Sequence, residues 1–254
     1  MIDLKSKLQN NELTVGSWIM LGHPGIAEIF AKAGLDWLTV DLEHTTISLD
    51  QAGELLRVID LCGVFPMVRL TSLDPNQIKR LMDAGARGII VPNVRRPEEA
   101  EQAVAATRYG PQGVRGVGLG KAQGYGPGFR DYLHWQKDGP VVIVQIEDYK
   151  AVEQIEEILA VPGVDGFFVG PYDLSCSLGI PGEFENPLFL ETMEKIRATG
   201  ERLQRPSGVH LVEPSTEALQ KAIQEGYRII AYSVDTRILD ATMRSGLDAI
   251  KDLR

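Results

Sequence analysis

Val141-Val142-Ile143-Val144-Gln145-Ile146-Glu147 is an apolar run that turns polar at its far end. A short, continuous, β-branched run suits a parallel strand covered on both faces. Gln145 and Glu147 stand two apart, so in a strand they share a face. Seven similar runs flank this one, at 15–21, 37–42, 65–70, 88–92, 166–170, 207–211 and 228–234. Amphipathic helical patterns alternate with them, at 26–33, 50–61, 76–84, 97–107, 150–159, 187–203, 215–225 and 236–253. Several end in a glycine suited to a left-handed cap, namely Gly34, Gly63, Gly85 and Gly226. Eight strand–helix units read as a single-domain α/β fold, a (β/α)8 TIM barrel over residues 1–254. A doubly wound parallel sheet is the alternative. Two connections are long: the glycine-rich segment 108–139, read as an active-site loop, and 171–187.

The formal charge of −9 speaks against nucleic acid or an anionic membrane as partner, because phosphates need a basic face. A small anionic substrate stays open, since it needs only a local cation. Two cysteines, Cys62 and Cys176, are too few for a disulfide framework. The first residues carry no apolar signal core, and no apolar run reaches the ~20 residues of a membrane span. A cytoplasmic enzyme is the expectation.

In such barrels the reacting groups sit where strands end and βα loops begin. Asp41-Leu42-Glu43-His44 ends the second run, Arg69 the third, Gln145 and Glu147 the fifth, and Gly170-Pro171-Tyr172-Asp173 the sixth. Two carboxylates at strand ends, Glu147 and Asp173, suit a hard divalent cation, Mg2+ or Mn2+, completed by water and substrate oxygens. Read alone, Glu147 also fits a structural ion pair with Arg69. No Cys/His spacing supports structural zinc. His44 follows two acids, and Asp41 is placed to fix its tautomer for acid/base work, with Glu43 behind them. Arg69 suits negative charge growing on a substrate oxygen. Trp18 walls the pocket or packs in the core. The Gly170-Pro171 turn offers backbone N–H groups to a substrate carboxylate. No lysine ends a strand, which favours a metal-stabilised enolate over a Schiff base. Gly116-Val117-Gly118-Leu119-Gly120 follows no strand and is read as part of a lid rather than a phosphate loop.

The ordered set of motifs resembles the HpcH/HpaI aldolases, metal-dependent class II pyruvate aldolases, over nearly the whole chain. It comprises Asp41-x-Glu43-His44, Val68-Arg69, Pro75-x-Gln77-Ile78-Lys79, Ala106-Thr107-Arg108-Tyr109-x-Pro111 with Gly113-x-Arg115-Gly116, and Gln145-Ile146-Glu147. It continues through Gly163-Val164-Asp165-Gly166, Gly170-Pro171-x-Asp173-Leu174-Ser175 and Val234-Asp235-Thr236. The resemblance implies that Glu147 and Asp173 ligate Mg2+, Mn2+ or Co2+ with Gln145 beside them. It makes His44 the acid/base held by Asp41, and puts Arg69 on the ketone oxygen. Asp83 would reach a neighbouring subunit's site in a homohexamer, with the last helix, 236–253, packing on a neighbour.

The implied reaction is reversible cleavage of a 4-hydroxy-2-oxo acid into pyruvate and an aldehyde. The other readings are an acyl-CoA lyase of the citrate lyase β or malyl-CoA lyase type, a decarboxylase using the same enolate, and a non-catalytic barrel that only binds. One stretch departs from the family members compared: Val209-His210-Leu211-Val212-Glu213-Pro214 carries a histidine and an acid where they carry an apolar tract. That leaves the aldehyde open.

Overall fold

The structure is a computed structural model that describes residues 2–251. Eight strands close into a parallel barrel in chain order: β1 (Thr14–Ile19), β2 (Trp37–Asp41), β3 (Phe65–Arg69), β4 (Gly88–Val91), β5 (Val141–Ile146), β6 (Gly166–Val169), β7 (Ser207–Leu211) and β8 (Ile229–Val234). The seam is β1 against β8, with Thr14 beside Ile229 and Gly16 beside Ala231. Closure excludes the doubly wound alternative, whose sheet has two free edges. Among the described residues no helix is long and apolar enough to cross a membrane.

Period-two alternation divides each strand between two cores. Outward residues such as Leu38, Val40, Val68, Ile89, Val142 and Val144 pack under the helices. Inward residues fill the barrel: Trp18, Trp37, Phe65, Met67, Ile90, Val141, Ile143 and Phe168. Two bulky rings fit because glycines face them. A Cβ on Gly16 would lie 2.0 Å from the Trp37 ring, and one on Gly208 would lie 2.7 Å from that of Phe168.

The helices outside the barrel are α2 (Pro24–Ala31), α3 (Leu49–Leu61), α4 (Pro75–Ala84), α5 (Pro97–Thr107), α7 (Tyr149–Glu153), α8 (Ile155–Ala160), α9 (Pro171–Ser177), α10 (Pro187–Arg202), α11 (Thr216–Gln224) and α12 (Asp235–Asp248). Local chemistry fixes their starts. Ser48 and Gln51 form a reciprocal capping box on α3, and Asp74 caps α4 ahead of Pro75. Gly85 ends α4 at φ 111°. The pattern at 150–159 is two helices, broken at Gln154. The last helical pattern ran to 253; α12 closes at Asp248, and residues 252 and 253 lie outside the described residues.

Three α-helices were not read from the sequence. α1 (Leu4–Gln9) plugs the N-terminal end of the barrel, where Leu4 and Leu8 join the interior core. Lys5 donates to Asp165 at 2.8 Å and to Pro140 O at 3.0 Å. α6 (Phe129–Trp135) lies inside the long connection, and α9 opens the segment 171–187.

The segment 108–139 joins the end of α5 to the start of β5. An α-to-β connection runs at the N-terminal end of a parallel barrel, opposite the βα loops. Trp135 stacks there on Arg87, which precedes β4, with the guanidinium 4.8 Å from the ring. The expectation of a loop over the chain's own site is therefore corrected: within one chain it crosses the far end.

Candidate active site

The last inward or rim-facing residue of several strands is polar, and these residues share the C-terminal mouth. Asp41 and Arg69 are register partners on β2 and β3. Arg69 Nε donates to Asp41 Oδ1 at 2.8 Å and Nη2 to Oδ2 at 2.7 Å. Asp41 is fully buried and also accepts the Glu43 N–H at 3.0 Å. Both carboxylate oxygens are thus engaged, and neither holds His44. The expectation that Asp41 orients His44 is corrected: Asp41 orients Arg69. His44 stands outside, its side chain 63% exposed, with Nε2 3.6 Å from Glu43 Oε2.

Glu43 is nearer the centre than the sequence reading placed it. Its Oε2 lies 3.2 Å from Arg69 Nη1 and makes no hydrogen bond. Burial raises its pKa above the usual carboxylate range; Arg69 lowers it, and the charges of Asp41 and Asp173 raise it.

Glu147 follows β5 and is nearly buried. Its Oε1 accepts the Asn93 N–H at 2.6 Å, and its Oε2 lies 3.3 Å from Gln145 Nε2. Burial first, then the negative charge of Glu43, raises its pKa to about 7. Gln145 Oε1 is buried beside it without a partner. Asp173 occupies the first turn of α9 at the exposed rim, close enough for its charge to raise both Glu43 and Glu147.

Asn93 was missed by the sequence reading. It stands at φ 55° just after β4, aiming its N–H at Glu147. Asn tolerates the left-handed region better than most residues, so Pro92-Asn93 after a strand was the available signal.

Gly170 plays a different part from the one expected. Its N–H donates to Ile146 O at 3.2 Å, and Pro171 has none, so neither of these two residues offers an N–H to a substrate. Its value is the missing side chain: a Cβ there would lie 2.6 Å from Glu147 Oε2. Trp18 is buried among the residues that fill the barrel. It is packed against Phe168 at 6.0 Å between centroids and carries Arg69 at 4.5 Å over its ring.

Asp83 is at the end of α4, the opposite end of the barrel from these groups. It lies 3.5 Å from Arg115 Nη2 and packs beneath Gly118 and Gly120. It does not join its own chain's site. Of the two polar residues after β7, Glu213 pairs with Arg237 on α12 at 2.8 Å, while His210 faces the mouth and touches Trp18 at 5.6 Å between rings.

Among the described residues no three His, Cys, Asp or Glu side chains close on one point as a complete protein cage. The residues present nevertheless fit a hard cation that keeps water or substrate ligands. The mouth gathers four acids around Arg69, which pairs with Asp41 and Glu43, and two buried oxygens, Gln145 Oε1 and Glu43 Oε2, accept no hydrogen bond. Burial in this company drives carboxylates to hold protons unless positive charge arrives.

The family model described as HpcH/HpaI aldolase/citrate lyase matches residues 14–241. A protein named 4-hydroxy-2-oxo-heptane-1,7-dioate aldolase from Salmonella arizonae is 38% identical over 242 residues, covering 92% of this chain and 89% of that protein. A crystal structure of a HpcH/HpaI aldolase/citrate lyase family protein from Burkholderia cenocepacia superposes with TM-score 0.91 at 35% identity, covering 99% of this chain and all of the other. The HpcH/HpaI aldolase from Desulfitobacterium hafniense gives TM-score 0.91 at 33% identity, with 100% and 98% covered.

Proposed function

Because this chain belongs to the HpcH/HpaI aldolase/citrate lyase family, and is thereby a carbon–carbon lyase of the aldolase type, we propose that it reversibly cleaves a 4-hydroxy-2-oxo acid into pyruvate and an aldehyde. The observation that carries this is Glu147: a buried carboxyl raised to about 7, beside the unpartnered Gln145 Oε1, in a cup where other acids crowd it.

Glu147 and Asp173 would hold a divalent cation, Mg2+ or Mn2+, with Gln145 beside it. When bound, that ion supplies Lewis-acid withdrawal of charge from the oxo acid's ketone. Arg69, locked by its fork on Asp41 and by the Trp18 face, presents its remaining N–H groups to the ketone oxygen and favours the enolate form. His44 takes the proton of the 4-hydroxyl. The C3–C4 bond then breaks, its electron pair passing to C3 to give the enolate of pyruvate and a free aldehyde. Protonation at C3 releases pyruvate. Glu43, 3.6 Å from His44, positions the imidazole and supports its charged form.

The proposal extends to a homo-oligomer, a hexamer by family resemblance. Leu239, Met243 and Leu247 form an exposed stripe at helical spacing along α12, and Val117 and Leu119 are exposed near Asp83. These surfaces fit other copies of the chain, with Asp83 serving a neighbour's site.

The test of the reaction is purified protein with pyruvate and a set of aldehydes, with and without EDTA. Aldol products that vanish with EDTA and return with Mn2+ are expected. Metal-independent turnover, or none with any aldehyde, overturns the proposal.

A further inference from the structure

β7 and β8 bring a different kind of group to the mouth. His210 lies on β7 beside Ala231 of β8, on the inward face, two residues beyond Gly208. Its Nε2 is 3.3 Å from the backbone oxygen of Ser233. A carbonyl only accepts, so Nε2 carries the proton and Nδ1 is a bare acceptor. Nδ1 makes no hydrogen bond among the described residues.

The carbonyl that fixes this tautomer is itself held. Ser233 sits at φ 54°, where the β1–β8 register shifts between Gly16 and Trp18. Its Oγ donates to Val212 O at 2.8 Å, and its oxygen also accepts from Ser17 Oγ at 3.2 Å. The imidazole leans on Trp18, with ring centroids 5.6 Å apart at 59°, and Trp18 also carries Arg69. Solvent reaches the ring from the mouth, while the barrel wall crowds its other sides. That crowding and the nearby Arg69 charge push its pKa down to about 4, so at neutral pH it is an uncharged hydrogen-bonding group.

Two rings and an arginine therefore line one side of the cup. Arg69 is assigned to the oxo acid, which leaves the ground by His210 for the other reactant. A carboxylate on that reactant would meet a neutral imidazole and a cup already rich in acids. A hydroxyl would meet a fixed acceptor.

We propose that His210 is a specificity-determining residue, its Nδ1 accepting a hydrogen bond from a hydroxyl on the aldehyde, so that this chain selects short neutral hydroxyaldehydes over alkyl or anionic ones. This rests on the aldolase reading. A substrate hydroxyl left without its acceptor loses on the order of tenfold in discrimination at a solvent-reached site.

The test uses isosteric pairs that exchange hydroxyl for methyl: glycolaldehyde with propanal, and 3-hydroxypropanal with butanal, with glyoxylate as the anionic case. The kcat/KM for condensation with pyruvate is measured for the wild-type protein, His210→Leu and His210→Gln. The wild type is expected to favour the hydroxylated member of at least one pair about tenfold or more. H210L should collapse that ratio towards one, and H210Q, whose amide oxygen still accepts, should keep most of it. Because the readout is a ratio within each variant, a general loss of fold or activity does not mimic it. A ratio unchanged in H210L, or a wild-type preference for alkyl aldehydes or glyoxylate, overturns the inference. Metal-dependent exchange of the pyruvate methyl protons in deuterated water, followed by NMR on the wild type, separates the two claims. Exchange with unchanged selectivity removes this inference alone; absence of exchange removes the aldolase reading and this inference with it.

Discussion

Asp41 and Arg69 face each other across the β2–β3 register and meet through two parallel hydrogen bonds of 2.8 and 2.7 Å. The carboxylate is fully buried and the guanidinium nearly so, which makes the pair both a structural joint and the mount of the cation proposed to meet the ketone oxygen. Lysine cannot reproduce a forked contact. Arg69→Lys is expected to lower kcat/KM about a hundredfold or more. Arg69→Ala leaves a buried carboxylate without its counter-charge and is expected to cost about 3 kcal/mol of stability, read from urea unfolding. A variant of unchanged stability would show that the pair is not what holds this rim.

Glu147 gives a pH dependence with a definite sign. Its folded pKa of about 7 lies above its ordinary 4.5. Between those values the folded chain keeps a proton that the unfolded chain has lost, so this group's contribution to stability declines as pH rises from 4.5 to 7. The total is about 3 kcal/mol. Metal-free wild-type protein should therefore lose stability against Glu147→Gln between pH 5 and 8. Added Mn2+ should restore more stability at pH 8 than at pH 5. Parallel pH profiles for the two proteins would contradict the assignment.

Gly170→Ala tests the space beside that carboxyl. The new Cβ would sit 2.6 Å from Glu147 Oε2, the movable end of a side chain, so the side chain yields and the barrel does not. The expected result is a folded protein whose Mn2+ affinity, by calorimetry, is weakened about tenfold, as when the groups around metal ligands are disturbed. An unchanged affinity would place the ion elsewhere.

His44 is exposed, so its removal should separate activity from stability. His44→Ala is expected to lower kcat for cleavage about a hundredfold, a usual share for proton transfer by a side chain. Its unfolding free energy should stay within about 0.5 kcal/mol of wild type. A large loss of stability would give His44 a structural role instead.

Particular residues show why the strands were legible and parts of the site were not. A strand buried on both faces is apolar throughout, so runs such as 88–92 and 141–147 mark themselves, and the first polar residue marks the end. The rim positions of Asp41, Arg69, Gln145 and Glu147 follow from that rule. What each touches does not. Asp41 has two candidates within reach in the sequence, and only the β2–β3 register decides for Arg69 over His44. Asn93 contributes a backbone N–H, so the sequence hints at it only through an asparagine suited to the left-handed region just after a strand. The segment 108–139 was misplaced because glycine content suggests mobility and says nothing of which end of the barrel a connection occupies; counting α-to-β against β-to-α would have settled it. The six-residue α1 is too short for a helical period to show.

The seam between β1 and β8 has a consequence for biosynthesis. Asp235 accepts N–H groups of Met20 and Leu21 at 2.8–3.1 Å, and Ser17 donates to Tyr232 O at 2.9 Å, so the rim that carries Trp18 is fastened by residues translated more than two hundred positions later. A nascent chain paused before residue 229 already holds His44, Arg69, Glu147 and Asp173, yet its β1, paired with β2, has no β8 to close against. Closure of the ring therefore waits for the final strand to leave the ribosome, and earlier release leaves the Trp18 rim without these ties.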